Sequence, residues 1–272
     1  AVNFELPPAG SLLLEWQTDN APSEPVMAKT AGNVIAATGP TAIKRSEPNV
    51  LTIDFVDVVA GGETLANTHY SRAAEFAFQK HGLEHNPWDH AVQFRGDLVR
   101  NTFAADSGFT ATYRFTVKGT PPEGLRAVVE SAELHTITCN GQAVKAIPGE
   151  WWFDKSFGVI DISAQVKEGE NTIELVATPF TMMHEIAAIY ILGDFALEAS
   201  ERGFALTAAR SLALGTWSEQ GMPLYGNTVA YTQHYQVGDA ANAYRVELPA
   251  WYGSVAEVVV NHHGADAEGG GG

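Results

Sequence analysis

An all-β protein, a jelly-roll β-sandwich followed by part of a second sandwich, is the fold class that the sequence predicts. Three observations carry it. Apolar residues alternate with polar ones in run after run instead of recurring at helical spacing. Glycine and proline, 26 and 13 of the 272 residues, punctuate the chain at short intervals. The runs themselves are short and separated by Gly, Pro and Asn turns, as the strands of a sandwich are. With 45% hydrophobic and 10% aromatic residues, the chain can build one large core or two small ones.

Three segments are expected: lead-in strands over residues 1–60 that end a preceding domain, a jelly-roll sandwich over 61–199, and a partial second sandwich over 200–272. In the first, Val50 to Ala60 is apolar but interrupted by Asp54 and Asp57, and no run approaches the ~20 residues that cross a bilayer. Ser71 to Gly82, with Ala73, Ala74, Phe76, Ala77 and Phe78, fits a short helix or an irregular strand equally well. Phe109 to Val117 is a period-two strand, with Phe109, Ala111, Tyr113, Phe115 and Val117 on one face and Thr and Arg on the other. After the turn Gly119 to Gly124 come strands at Leu125 to Ala132 and His135 to Cys139. Asn140-Gly141 supplies the two left-handed residues of a type I′ hairpin, from which Gln142 to Ile147 returns. Gly158 to Ile162 is a further strand, and the polar turn Lys167 to Thr172 leads into Ile173 to Ala177.

Beyond Ser200, Trp217 to Gly226 is a turn-rich lead-in to strands at Val229 to Val237, Tyr244 to Leu248 and Val255 to Asn261. Tyr113 to Val117 with Leu125 to Asn140-Gly141 has a counterpart in Tyr231 to Val237 with Tyr244 to Asn261, which reads as a repeat. The second copy stops at the flexible, Gly-rich end Ala265 to Gly272. Unpaired strands there predict self-association through the incomplete second domain. Ala1 is neither a start Met nor the head of a signal peptide, so a processed or excised piece of a longer chain is expected.

An apolar strand ending in Asn140-Gly141, the loop Trp151-Trp152-Phe153-Asp154, the strand Gly158 to Ile162 and Gly169-Glu-Asn-Thr172 occur in this order. That order resembles the sugar-binding-type, galactose-binding-like jelly-roll domains that accompany catalytic barrels in glycoside hydrolases of the β-galactosidase and α-L-rhamnosidase kinds. Tyr190 to Phe195 and Gly221 to Val229 look like segments linking two such domains, and Val2 to Leu14 looks like the closing strand of a preceding one. The resemblance covers roughly residues 100 to 261. It implies an accessory, non-catalytic region of a large bacterial glycosidase, secreted or periplasmic, with a glycan as partner.

Lys+Arg number 16 against 32 Asp+Glu, a net charge of −16 that argues against nucleic acid and anionic membranes as partners. The single Cys139 excludes an intrachain disulfide framework and a Cys-rich metal site. A glycosidase needs two carboxyl groups flanking a bond; Glu150 and Asp154 around Trp151-Trp152 are the alternative catalytic pair, with Glu185 and Asp194 as further acids. His81, His85 and His90 lack the helical spacing of a zinc site, because Gly82 and Pro87 interrupt it. No cofactor is expected beyond a structural calcium on Asp54, Asp57, Asp161 or Asp194. No Gly-x-Ser-x-Gly elbow exists, and Cys139 at a strand end reads as a small buried hydrophobe.

Sugar rings stack their C–H faces on aromatic side chains while acids and amides hold the hydroxyls. Three groups have that composition: Trp88, Asp89 and His90; Trp151, Trp152 and Asp154; and Trp217 with Tyr225. They are the candidate ligand-binding residues. If these Trp side chains are buried instead, a purely structural interaction module is the third reading.

Overall fold

The computed structural model describes residues 34–89, 92–237, 246 and 253–259. By its backbone contacts the chain forms one compact unit over Gly39–His234 and another from residues 1–38 with 235–272. The first is an all-β sandwich. Its strands are β1 (Ala37–Arg45), β2 (Asn49–Ile53), β3 (Phe55–Ala60), β4 (Glu63–His69), β5 (Phe109–Val117), β6 (Arg126–Glu130), β7 (Thr136–Cys139) and β8 (Gln142–Val144). Then follow β9 (Ala146–Trp152), β10 (Asp154–Asp161), β11 (Gly169–Ala177), β12 (Ile189–Gly193), β13 (Phe195–Ala199), β14 (Phe204–Ala208) and β15 (Val229–Tyr235). Helix α1 spans Tyr70–Lys80 and the single turn α2 Arg95–Leu98.

One sheet has the antiparallel order β2-β12-β6-β10-β9. The other runs β13-β14-β5-β11-β7-β8, with β3 also against β5 and β4 outside β3. A common core lies between them: Leu51, Ile53, Val129, Ile160, Ile189 and Ile191 from the first sheet meet Val58, Tyr113, Phe115, Ile137, Ile173 and Leu175 from the second. Each such side chain contributes about 1.5–3 kcal/mol when removed from water. The β5 alternation is realised residue for residue, since Phe109, Ala111, Tyr113, Phe115 and Val117 are buried and the residues between them are not. Tyr113 lies at the centre, and its hydroxyl donates to Ala187 O at 2.6 Å.

Ser71 to Gly82 resolves as helix. His69 caps it through Nδ1, which accepts from Ser71 N, and Ala73, Ala74, Ala77 and Phe78 face the core at helical spacing. The Asn140-Gly141 hairpin has φ of 50° and 77°, the mirror-image turn that matches strand twist. Cys139 is buried, and desolvation pushes its thiol up to about 11, which leaves it an inert hydrophobe.

Several elements differ from the sequence expectation. β2 and β3 fall in the segment read as lead-in, yet both are sandwich strands, because Leu51 and Ile53 enter the main core and Val56 to Ala60 pair with β5. β14 lies past Ser200 but pairs with β13 along its length. β15 joins β1 as a two-stranded ribbon instead of opening a second sandwich. Val255 to Val259, expected as a strand, carries no regular structure; Val246 carries none either, and the rest of Tyr244 to Leu248 lies outside the described residues. No described helix is long and apolar enough to cross a membrane.

Two buried amide groups tie the strand ends together. Asn171, fully buried, donates to Lys167 O and Gly169 O, and its Oδ1 accepts from Lys167 N and from Asn140 Nδ2. Asn140 also donates to Gln165 O and accepts from Thr172 N. The hairpin and the β10–β11 turn, distant in sequence, are therefore one hydrogen-bonded unit. Asn49 does the same work at the other end, donating to Phe195 O and Gly221 O, both at 2.9 Å. Gly221 is required there: its φ is 83°, and a Cβ would stand 2.5 Å from that of Ala196.

Asn171→Ala strips the side-chain partners from Lys167 N, Lys167 O and Gly169 O and from the Asn140 amide, and is expected to destabilise the fold by about 1–3 kcal/mol. Urea unfolding checks this, with Glu174→Ala on the exposed face of the same strand expected to change stability little.

Candidate functional site: an aromatic face on the five-stranded sheet

The two outer faces of the sandwich differ. Across β5 and β11 of the larger sheet the outward residues are polar, Thr112 opposite Glu174, Arg114 opposite Thr172 and Thr116 opposite Glu170, while β3 beside β5 presents exposed Phe55 and Val59. Arg114 binds Asp57 at 2.9 Å and reaches Glu170 at 3.5 Å. That is the ordinary solvent face of an antiparallel sheet.

The smaller sheet carries apolar residues on its outer side as well as its inner one, flanked on β6 by Arg126 and Glu130. Val128 stands opposite both Tyr190 and Val159, and Leu192 opposite Val50. Val50, Val128, Val159 and Leu192 form a second buried cluster apart from the main core, and Trp152, Phe157 and Tyr190 pack over it half-buried. The rings touch in series. Phe153 lies 6.0 Å from Trp152, Trp152 5.0 Å from Tyr190, and Tyr190 6.1 Å from Phe157, with tilts of 44°, 50° and 59°. Such tilted contacts suit the ring quadrupoles.

The run ends at the β9–β10 hairpin. Phe153 sits there at φ 66° and is 86% exposed. A bulky side chain is disfavoured in the left-handed region, and an exposed aromatic loses the hydrophobic reason to be there, so the turn holds it out at an energetic cost. Asp154 fixes the far side of the turn: its Oδ1 accepts from Ser156 N and Ser156 Oγ, both at 2.9 Å, which holds the carboxyl below its usual range.

Carboxylates border the run. Glu130 is opposite Phe157, and desolvation, with Asp154 repelling it, raises its pKa. Glu185 keeps contact with solvent, yet the protein around it excludes enough water to push it up to about 7; Glu130 and Asp89 add to this and Arg95 opposes it. The Tyr190 hydroxyl is raised by burial, Tyr70 and Glu130.

The three aromatic groups expected from sequence part ways. Trp152 and Asp154 are in the run, and Trp151 is exposed beside it, paired with Gly158. Glu150 is held by Arg126 at 3.1 Å. Trp88 is half-buried against the main core, its Nε1 donating to Met182 O at 2.6 Å, with the Arg95 guanidinium 5.7 Å from its ring. Asp89 beside it is exposed and acts on Glu185, whereas His90 lies outside the described residues. Trp217 and Tyr225 belong elsewhere. Tyr225 is buried, its hydroxyl donating to Thr228 O and accepting from Glu47 N, and Trp217 donates to Tyr231 Oη at 2.6 Å.

Phe157, Tyr190 and Glu130 were not singled out in the sequence. The available signal was Ala127-Val128-Val129, three consecutive apolar residues in a short strand, which marks a strand covered on both faces.

Of the acids considered for calcium, Asp57 is engaged by Arg114 and Asn67 N, Asp161 by Ser163 N and Asp194 by Arg45, while Asp54 makes no side-chain hydrogen bond or ion pair among the described residues. His81 accepts from Gly108 N through Nε2, so its Nδ1–H donates to Ala77 O. Among the described residues no three His, Cys, Asp or Glu side chains converge to hold a metal ion. Two clefts, of about 340 and 370 Å³, are lined in part by Arg45, Asp194 and Arg210 and by Gly61, Lys80 and Gly108; they share no residue with the aromatic run.

A carboxyl raised from 4.5 to about 7 binds more protons folded than unfolded between those values. Its contribution to stability is therefore complete below about 4.5 and lost as pH rises through about 7. Glu185→Gln removes the penalty, so the melting temperature of the variant should exceed wild type increasingly from pH 5 to pH 8. A constant difference across that range would contradict the environment assigned to Glu185.

No protein-family model and no curated protein matches the sequence.

Proposed function

We propose that this chain is a non-catalytic carbohydrate-binding accessory region of a larger, exported bacterial glycoside hydrolase, and that the glycan lies along the run Phe153, Trp152, Tyr190 and Phe157. The observation that carries this reading is the continuous aromatic row packed over the outer side of the smaller sheet, bordered by Glu130 and Asp154. Stacked rings offer a surface for the C–H faces of successive sugars. Asp154, held ionised, accepts hydrogen bonds from sugar hydroxyls. The outward Phe153 supports a ligand more than a packing role, since nothing else compensates its exposure.

A second reading, a glycoside hydrolase, is favoured by one observation: the pKa of Glu185 is pushed up to about 7, in part by the charge of Glu130, the direction that a proton-donating carboxyl requires. Glu185 would then replace the Glu150 and Asp154 pair as proton donor, because Asp154 stays ionised and Glu150 is paired with Arg126.

A glycan array run beside a panel of chromogenic glycosides separates these. Binding without turnover is expected, weakened about tenfold by Trp152→Ala. Phe153→Gly keeps the turn, relieves its φ, and should raise thermal stability while weakening binding. Trp217→Phe should leave binding unchanged. Turnover that Glu185→Gln removes would establish the hydrolase instead, and silence in both assays would leave a structural module.

A further inference from the structure

We infer that the cleft between the end of β1, the β12–β13 junction and the segment after β14 binds a single small sugar acid, a hexuronate held by its carboxylate. This site is separate from the aromatic face and does not rest on the carbohydrate-binding reading of that face. Lys44 and Arg45 enter the cleft from β1 and Arg210 from beyond β14, with Glu47 and Asp194 as the acids of its wall.

Three cations and two acids thus meet in one cleft of a chain whose acids outnumber its cations by 32 to 16. Cations without an ion pair are common on this surface, so it is their convergence that sets the cleft apart. The other cleft holds a single lysine, Lys80, which is already bound to Glu63. Arg45 is the fixed element of the wall. Its side chain is only 15% exposed, and its Nη2 donates to Asp194, which leaves Nε and Nη1 without a partner among the described residues. Neither atom is sealed from solvent, so both are open to a ligand. A guanidinium already held in place loses little further freedom when it binds. Glu47 is anchored too, since its backbone N–H donates to the Tyr225 hydroxyl at 3.2 Å.

Charge selects the kind of anion. With both acids ionised the five groups leave a formal surplus of one positive charge, which one carboxylate neutralises. A phosphate monoester, with nearly two negative charges at neutral pH, would leave the cleft negative. The planar carboxylate also matches the guanidinium fork, with two oxygens for two parallel N–H donors. Size selects the rest. About 340 Å³ lies at the lower end of small-molecule sites, roughly 300–1,000 Å³, with room for one sugar ring and not for a chain. Glu47 and Ser211 can accept from ring hydroxyls, and Ile43 and Leu212 give the C–H face an apolar wall. A bare inorganic anion would use the cations and leave these groups idle.

The test is calorimetric titration of the whole chain with glucuronate and galacturonate, with glucose and galactose as their neutral counterparts, and with acetate and inorganic sulfate. The better of the two hexuronates is expected to bind at least tenfold more tightly than its neutral hexose, acetate or sulfate. Lys44 and Arg210 are exposed and make no ion pair among the described residues. Lys44→Gln and Arg210→Gln should therefore each weaken binding several-fold at an unchanged melting temperature. Lys145→Gln, an exposed cation outside the cleft, and Trp152→Ala on the aromatic row should leave it unchanged. A neutral hexose binding as tightly as its acid would overturn the carboxylate assignment, and acetate or sulfate binding as tightly would overturn the sugar acid and leave a general anion site. An equal loss in Lys145→Gln would reduce the effect to net charge and overturn it. Loss in Trp152→Ala would move the ligand to the aromatic row, and failure of both hexuronates to bind would overturn the inference outright; neither result depends on what the glycan array finds for the aromatic face.

Discussion

A sandwich must satisfy the backbone groups where its strands turn over, and here side-chain amides do it. Asn171 and Asn140 share one hydrogen bond and close five backbone groups between the β7–β8 hairpin and the β10–β11 turn. An unpaired buried amide or carbonyl costs more than an ordinary hydrogen bond gains, so this network can be either complete or strongly unfavourable. Its completeness fixes where β10 leaves the end of the sandwich and thus where the other end of β10, the hairpin with Phe153 and Asp154, is held. The aromatic face is positioned by polar contacts at the opposite end of the same strand.

Much of the fold was legible. The alternation of β5, the Asn140-Gly141 turn and the burial of Cys139 follow from local rules of side-chain period and backbone sterics, and each is realised. Long-range pairing was not legible in the same way. Nothing local in Asn49 to Ile53 says that it pairs with Ile189 to Gly193, well over a hundred residues on; Leu51 and Ile53 reveal it only once Ile189 and Ile191 are placed beside them. The boundary at Ser200 was drawn on turn-rich composition, while β14 was recruited by its neighbour β13 through a short hairpin.

The site was half legible, for a related reason. Trp152 and Asp154 stand out because a Trp-rich polar loop is rare in sequence. Tyr190, Phe157 and Glu130 are ordinary strand residues, and only the register that sets Val128 between Tyr190 and Val159 gives them a shared face. Trp217 and Tyr225 had the same composition as the true neighbours of the run, yet Tyr225 has both hydrogen-bonding roles of its hydroxyl filled within the protein. Composition identifies residues able to bind a sugar, and satisfaction of their polar atoms decides which are free to do so.

The unfavourable features of the molecule also fall together. An aromatic side chain in a left-handed turn, exposed to water, opposes folding, and Glu130, opposite Phe157 with its pKa raised by desolvation and by Asp154, borders the same sheet face. On the larger sheet Arg114 lies between Asp57 and Glu170, and Lys118 binds Glu198. Under the proposed function such local costs are offset when a ligand covers the ring faces. On that proposal the aromatic face of the smaller sheet, and not either cleft, is where the glycan is expected, because only that face sets several rings in one row.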